Sequence, residues 1–326
     1  MRQHRIGGAA GFDAAEFSLG TMYFGTTVAE GEAFAILDRY AEAGGNLLDT
    51  ANCYAFWADG GTGEESEALI GRWLAARGAA GTVRIATKVG SAPARPEEPY
   101  HGGNREGLSP KVIEEQFARS RERLGVATVD LYYAHADDRA TPLEETVDAF
   151  GRLVEDGSVR VLGASNHASW RLERARSAAE RAGRAGYQAI QQRHTYLYPR
   201  PLTVPVPDSI QLGASDELLD YAVSEDLPVF AYSPLSNGAF SRSDRRPPGA
   251  PVDYDHAGSE RRIAVLREEA AALGVTPNQL ALAWLTAGPA TVIPILGVST
   301  VSQLDEALGA SAIELDAETY RRLSEA

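Results

Sequence analysis

Short apolar, β-branched runs alternate along the chain with amphipathic stretches that open on helix-capping residues. That alternation predicts βα units around a parallel sheet. The runs that read as strands are Glu16 to Leu19, Asn46 to Asp49, Val83 to Lys88, Val129 to His135, Val159 to Ser165, Ala189 to Gln192, Pro228 to Ser233 and Thr291 to Leu296. Between them, Thr141-Pro-Leu-Glu144 and Thr276-Pro-Asn-Gln279 each place a hydroxyl, a proline and a Glu or Gln at N-cap, N1 and N3, and Ser109-Pro110 reads as a further start. Eight strands, each followed by helix, predict an α/β fold of the (β/α)8 or TIM-barrel type, a single domain over residues 1–326. The glycine-rich segment Arg5 to Phe17 precedes the first strand and reads as a hairpin closing the barrel floor. Segments 91–108, 198–213 and 235–259, rich in proline, glycine or charge, read as long loops of the functional kind.

Composition narrows the possibilities. With 326 residues and 44% hydrophobic content the chain can bury a large core. No apolar run approaches the roughly 18 residues of a membrane span, and the first residues lack the apolar stretch of a signal peptide, so a cytoplasmic protein without a membrane partner is expected. The formal charge of -14 argues against nucleic acid. Cys53 is the only cysteine, and neither a CxxC nor an HExxH spacing occurs, so no metal site is expected. Of the 31 basic residues only Lys88 and Lys111 are lysine. GC-rich coding explains that bias by itself, yet it makes a lysine at a strand end worth explaining.

In a parallel barrel a polar residue ending a strand points at the mouth, where chemistry takes place. Here the strand ends read Asp49-Thr50, Lys88, His135, Ser165-Asn166, Gln191-Gln192, Tyr232-Ser233 and Gly297. Each alone could merely cap a turn. Asp49 beside Lys88 predicts a partly buried ion pair, which is not in itself stabilising and so suggests another purpose. Tyr54 follows Asp49 by five residues and can fold back over the mouth. An ammonium beside its phenol would favour phenolate and lower a pKa of about 10. His135 reads either as a core histidine or as a donor to a substrate oxygen.

At these residues the chain resembles the aldo-keto reductases over nearly its whole length. The stretches that carry the resemblance are Leu19-Gly-Thr-Met-Tyr-Phe-Gly25, Asn46-Leu-Leu-Asp-Thr-Ala-Asn-Cys-Tyr54, Glu65-Ser-Glu-Ala-Leu-Ile-Gly71, Ile85-Ala-Thr-Lys-Val89, Asp130-Leu-Tyr-Tyr-Ala-His135, Gly163-Ala-Ser-Asn166, Ala231-Tyr-Ser-Pro-Leu235 and Pro294-Ile-Leu-Gly297. The resemblance implies a catalytic tetrad of Asp49, Tyr54, Lys88 and His135 that reduces a small-molecule carbonyl with NADPH, Tyr54 acting as the acid. It also implies NADP(H) lying across the mouth without a Rossmann domain. Backbone at Gly20 and Thr21 would approach it, Ser165, Asn166 and Gln192 would hold the carboxamide, Tyr232 would stack on the nicotinamide, and Ser233, Pro234 and Leu235 would follow along the cofactor. Gly297, Ser299, Gln303 and Glu306 would surround a phosphate at a helix N-terminus, although Thr300 and Gln303 also spell a capping box. Arg262 is the first choice for the adenosine 2′-phosphate and Arg242 the second. Ala307 departs from the asparagine common in the family, which puts one adenine contact in doubt. Residues 55–63 are extra, and Phe56 and Trp57 are expected to line the substrate pocket, with Tyr100, His101 and Tyr254 adding aromatic character. Other readings of the same site are reduction of C=N or C=C bonds, alcohol oxidation, or a nucleotide-binding, redox-sensing subunit with little turnover.

Overall fold

The computed structural model describes residues 1–100, 103–200, 213–248 and 253–326. His101 and parts of the three long loops lie outside these residues. In chain order the elements are β1 (Gln3–Ile6), β2 (Phe12–Ala15), β3 (Ser18–Gly20), α1 (Glu30–Glu42), β4 (Leu47–Asp49), α2 (Glu65–Arg77), β5 (Arg84–Val89), α3 (Pro110–Leu124), β6 (Val129–Ala134), α4 (Leu143–Glu155), β7 (Val159–Ser165) and α5 (Ser169–Arg181). They continue with β8 (Tyr187–Arg193), α6 (Asp216–Ser224), β9 (Val229–Tyr232), α7 (Ala257–Leu273), α8 (Pro277–Thr286), β10 (Val292–Gly297), α9 (Val301–Leu308) and α10 (Ala317–Glu325). Strands β3 to β10 close into a parallel barrel in sequence order, β10 pairing with β3. All eight barrel strands match runs expected from the apolar pattern, with ends displaced by at most two residues. The chain is a single-domain (β/α)8 barrel.

The helix starts differ in how their hydroxyls are used. Thr276 and Gln279 form the complete capping box, and Ser109 accepts from Val112 N ahead of Pro110. Thr141 does not cap. Its hydroxyl donates to Asp138 Oδ2 at 2.7 Å and α4 starts two residues later, so the nearby carboxylate outcompetes the helix amides. At α9 the box is half made: Thr300 accepts from Gln303 N, but the Gln303 side chain turns to Ser299 N.

Two apolar layers follow from strand alternation. Along β6, Leu131 and Tyr133 join the barrel interior while Tyr132 and Ala134 pack outward under the helices. The interior contains Leu47, Ala86, Leu131, Tyr133, Val161, Ala189, Phe230, Ile293 and Ile295, and Ile6, Phe12 and Ala14 of the antiparallel β1–β2 hairpin join it. The hairpin is thus the expected floor. Gly163 belongs to this packing: a Cβ there would lie 2.3 Å from Tyr133 Cε1.

Candidate active site

The same alternation aims the rim. Counting two residues on from the interior positions Leu47, Ala86, Tyr133, Ala189 and Phe230 reaches Asp49, Lys88, His135, Gln191 and Tyr232. These side chains therefore stand one layer above the apolar interior, at the strands' C-terminal ends. Several residues just beyond this rim hold left-handed backbone without being glycine: Ala55, Asn166, Ser233, Ser236 and Asn237 have φ between 48° and 60°. Backbone of that kind costs free energy and gathers at functional sites.

The structure brings Asp49, Tyr54 and Lys88 into direct contact. Lys88 Nζ donates to Asp49 Oδ1 at 2.6 Å, to Thr50 O at 2.7 Å and to Tyr54 Oη at 2.5 Å. The Tyr54 hydroxyl lies 3.1 Å from Asp49 Oδ1, and Gln191 Nε2 donates to Asp49 Oδ2 at 2.8 Å. Lys88 has no exposed surface and Asp49 only 2%, so the pair is fully rather than partly buried. The Lys88 Nζ lies 4.5 Å and 6.0 Å from the ring centroids of Tyr54 and Tyr133. The His135 ring meets the Tyr54 ring edge-on at 5.9 Å, and its Nδ1 lies 3.8 Å from Cys53 Sγ.

Electrostatics correct one expectation. Burial pushes the Tyr54 phenol well above its usual range, and the Asp49 carboxylate pushes it further, so the neighbouring ammonium does not produce a lowered value. Burial lowers the Lys88 ammonium, opposed by Asp49. It holds His135 well below the usual imidazole range, with Lys88 and Arg105 adding in the same direction. At neutral pH the site therefore presents a protonated phenol and a neutral imidazole.

The candidate cofactor residues fall into two groups. Around the rim, Asn166 N donates to Gln192 Oε1 at 2.7 Å, Asn166 Nδ2 reaches Ser165 Oγ and His135 O at 3.0 Å, and Tyr232 Oη donates to Asn166 Oδ1 at 2.8 Å. Amide and hydroxyl groups beside an aromatic ring suit a flat carboxamide. Thr21 is fully buried and spends its hydroxyl on Asp49 O and Ser66, its N–H on Asp49 O and its carbonyl on Ser66 Oγ and Phe24 N, so of this pair only half-buried Gly20 has surface to offer a ligand, a correction to the expectation for Thr21. Pro234 O accepts from Thr195 Oγ1, and Leu235 packs partly buried beside it. Gly297 ends β10 with open space around its Cα.

Farther out the fit is poorer. Arg262 is a correction: it is 3% exposed, its guanidinium donates to Tyr196 O, Ser324 O and Ala326 O, and the Tyr196 and Tyr198 rings lie 4.2 Å and 4.6 Å from it. A cation committed to those carbonyls and rings fastens the C-terminal helix and does not serve a phosphate at the rim. Arg242 is exposed and pairs with Asp244 at 2.7 Å. Glu306 accepts from Thr276 Oγ1 and Asn278 Nδ2, and Glu32 Oε1 accepts from Val301 N at the α9 N-terminus.

On the substrate side, Phe56 packs against Trp57 and Tyr100 at 5.0 Å each, and Trp57 meets Tyr23 at 6.5 Å. Three loops thus share one aromatic wall. Tyr254 belongs elsewhere: it is buried against Arg193 and lines a cavity of about 240 Å³ with Trp284 and Tyr320, to which none of Asp49, Tyr54, Lys88 or His135 contributes. Reading residue types at strand ends named Gln191 without giving it Asp49 as partner, and missed Cys53 beside His135. Strand alternation carried the signal for Gln191, which lies two residues beyond the inward Ala189. Nothing local marks Cys53.

Fold and rim together define a (β/α)8 barrel with a buried cluster of titratable side chains at the C-terminal ends of its strands. A model of the aldo/keto reductase family matches residues 16–326, and the chain belongs to that family of oxidoreductases. Similar proteins include the uncharacterized oxidoreductase YrpG of Bacillus subtilis, 32% identical over 330 residues covering 98% of this chain and 94% of that one. The norsolorinic acid reductase stcV of Emericella nidulans is 29% identical, covering 95% and 78%. The aldo-keto reductase yakc [NADP(+)] of Schizosaccharomyces pombe is 27% identical, covering 90% and 81%. No helix among the described residues is long and apolar enough to cross a membrane.

Proposed function

We propose that this protein reduces an aldehyde or ketone to an alcohol with NADPH, Tyr54 giving its proton to the carbonyl oxygen. The observation that carries the reading is the contact of Tyr54 Oη with Lys88 Nζ at 2.5 Å, with Asp49 2.6 Å from the same nitrogen. The nicotinamide dinucleotide, when bound, supplies the hydride. Ser165, Asn166 and Gln192 would hold its carboxamide and Tyr232 its ring face, whereas Arg242 is the residue left to favour a 2′-phosphate. The NADP(+) in the name of the Schizosaccharomyces pombe relative supports that preference.

The chain's own residues divide the work. Tyr54 keeps its proton because burial disfavours phenolate, and Lys88 stands ready to stabilise the phenolate formed as the proton leaves. Asp49 fixes Lys88, and Gln191 fixes Asp49. His135, neutral, can donate a hydrogen bond to the same oxygen without competing as an acid. The wall of Tyr23, Phe56, Trp57 and Tyr100 supports a substrate with an apolar or aromatic body beside its carbonyl.

The test is Tyr54→Phe, which removes one oxygen from the site. Carbonyl reduction, followed by loss of reduced-nicotinamide absorbance across a panel of aldehydes and ketones, should fall by about 100-fold or more. Binding of NADPH, measured by calorimetry, should persist. A phenylalanine variant that reduces carbonyls at the wild-type rate would overturn the assignment.

A further inference from the structure

Glu106, in the long loop between β5 and α3, has a side chain turned toward the site for which the reaction outlined above has no use. One of its oxygens, Oε1, accepts from Gly90 N at 2.7 Å, Asn52 Nδ2 at 2.9 Å and Ala92 N at 3.3 Å. Those donors belong to two different segments. Gly90 and Ala92 directly continue the strand that carries Lys88, whereas Asn52 lies two residues before Tyr54. Backbone links run the same way, with Asn52 N donating to Lys88 O at 3.2 Å and Glu106 N to Ala92 O at 2.8 Å.

The clamp leaves two oxygens unmatched. Glu106 Oε2 and Asn52 Oδ1 are buried with no hydrogen-bond partner. Buried polar atoms without partners cost free energy, so a carboxylate is an expensive way merely to close a loop. Gly90 is fixed as well: its φ is +110°, and a Cβ there would lie 2.6 Å from Leu108 Cδ2. The strand end has no slack of its own, and besides the bonds of Lys88 itself to Thr50 O and Tyr54 Oη, the side-chain tie between it and the Tyr54 loop passes through one carboxylate oxygen.

Resting on the reading of Tyr54 as proton donor, we propose that Glu106 is a positioning residue that holds the Asn52–Tyr54 loop against the end of β5 and so keeps the Tyr54 hydroxyl on Lys88. Displacement of a reacting group by about 1 Å can cost on the order of 100-fold in rate, so a loosened clamp registers in turnover before it registers in substrate binding. A glutamine preserves the accepting oxygen; an alanine removes it.

The experiment compares wild type, Glu106→Ala, Glu106→Gln, Asn52→Ala and the Glu106→Ala/Asn52→Ala double variant, with Tyr54→Phe as reference. Each is assayed for kcat and KM on one reactive aldehyde and for thermal unfolding. Glu106→Ala should lower kcat about 10- to 100-fold with KM changed less than about 3-fold, and Glu106→Gln should recover kcat to within about 3-fold of wild type. Asn52→Ala leaves the bonds to Gly90 and Ala92 in place, so it tests the link even if Glu106→Ala does not fold, and it should lower kcat in the same way. The double variant should be no slower than the slower single variant by more than about 3-fold, since both changes break one connection. The inference fails, with the function intact, if Tyr54→Phe abolishes reduction while Asn52→Ala and Glu106→Ala turn over at the wild-type rate. It fails equally if Glu106→Gln is as slow as Glu106→Ala. A wild-type protein that reduces no carbonyl would remove the functional reading and the inference with it.

Discussion

Replacing Lys88 by methionine separates chemistry from folding in this site. The ammonium is wholly buried and Asp49 nearly so, which means that removing it strands a carboxylate where water cannot follow. Breaking one partner from a buried pair costs about 3–5 kcal/mol. Asp49 keeps Gln191 Nε2 at 2.8 Å and the Tyr54 hydroxyl at 3.1 Å, so the expected loss lies near the lower figure. That is a large share of a stability on the order of 5–15 kcal/mol. Removing both charges, as Lys88→Met with Asp49→Leu, should recover part of that loss, because the desolvation cost disappears with the attraction while Thr50 O, Gln191 Nε2 and the Tyr54 hydroxyl still lose partners. Urea unfolding followed by tryptophan fluorescence measures both variants, and neither should reduce carbonyls. A single variant as stable as wild type, or a double variant no more stable than the single one, would refute the argument.

Other outcomes follow from the same electrostatics. Burial and Asp49 push the Tyr54 phenol up, so carbonyl reduction should show no alkaline limb between about pH 7 and about pH 9; a rate profile falling through that interval would contradict it. Burial lowers His135 and His167, and His194 to about 4. A base held neutral in the fold protonates first in the unfolded chain. Stability is thus complete above the unfolded value near 6.5 and is lost as pH falls toward about 4, by up to about 1.4 kcal/mol per group per pH unit, which urea titrations across that range will measure. Arg262→Leu should lower the unfolding midpoint, costing at least about 2 kcal/mol for its charge-assisted bonds, without altering the calorimetric ratio of NADPH to NADH affinity; Arg242→Ala should shift that ratio toward NADH and leave stability within about 0.5 kcal/mol.

The barrel was legible because each strand is buried on both faces and so shows as an apolar run, as at Val159–Ser165, where the expected and observed limits agree. Asp49, Lys88 and His135 were legible for a related reason: a polar residue that continues an inward-facing row has nowhere to point but the mouth. Arg262 misled because a sequence does not say which side of a helix faces the rim, and this side chain turns to the carbonyls of the last helix instead. The direction of the Tyr54 shift was hidden because a list of neighbours contains Lys88 but not the depth of burial, and depth dominates. Glu106 and Asn52 are 54 positions apart, in loops without periodicity, and only folded coordinates connect them.

Tyr133 touches both ends of the molecule's logic. It shares a packed column with Ile6 and Phe12 of the N-terminal hairpin, and its ring also lies 6.0 Å from the Lys88 ammonium. The hairpin is therefore a foundation for the reaction as well as a plug. Trimming the first fifteen residues would wet the bottom of that column and let Tyr133 settle, and the damage would be felt at the opposite end of the barrel, far from the cut.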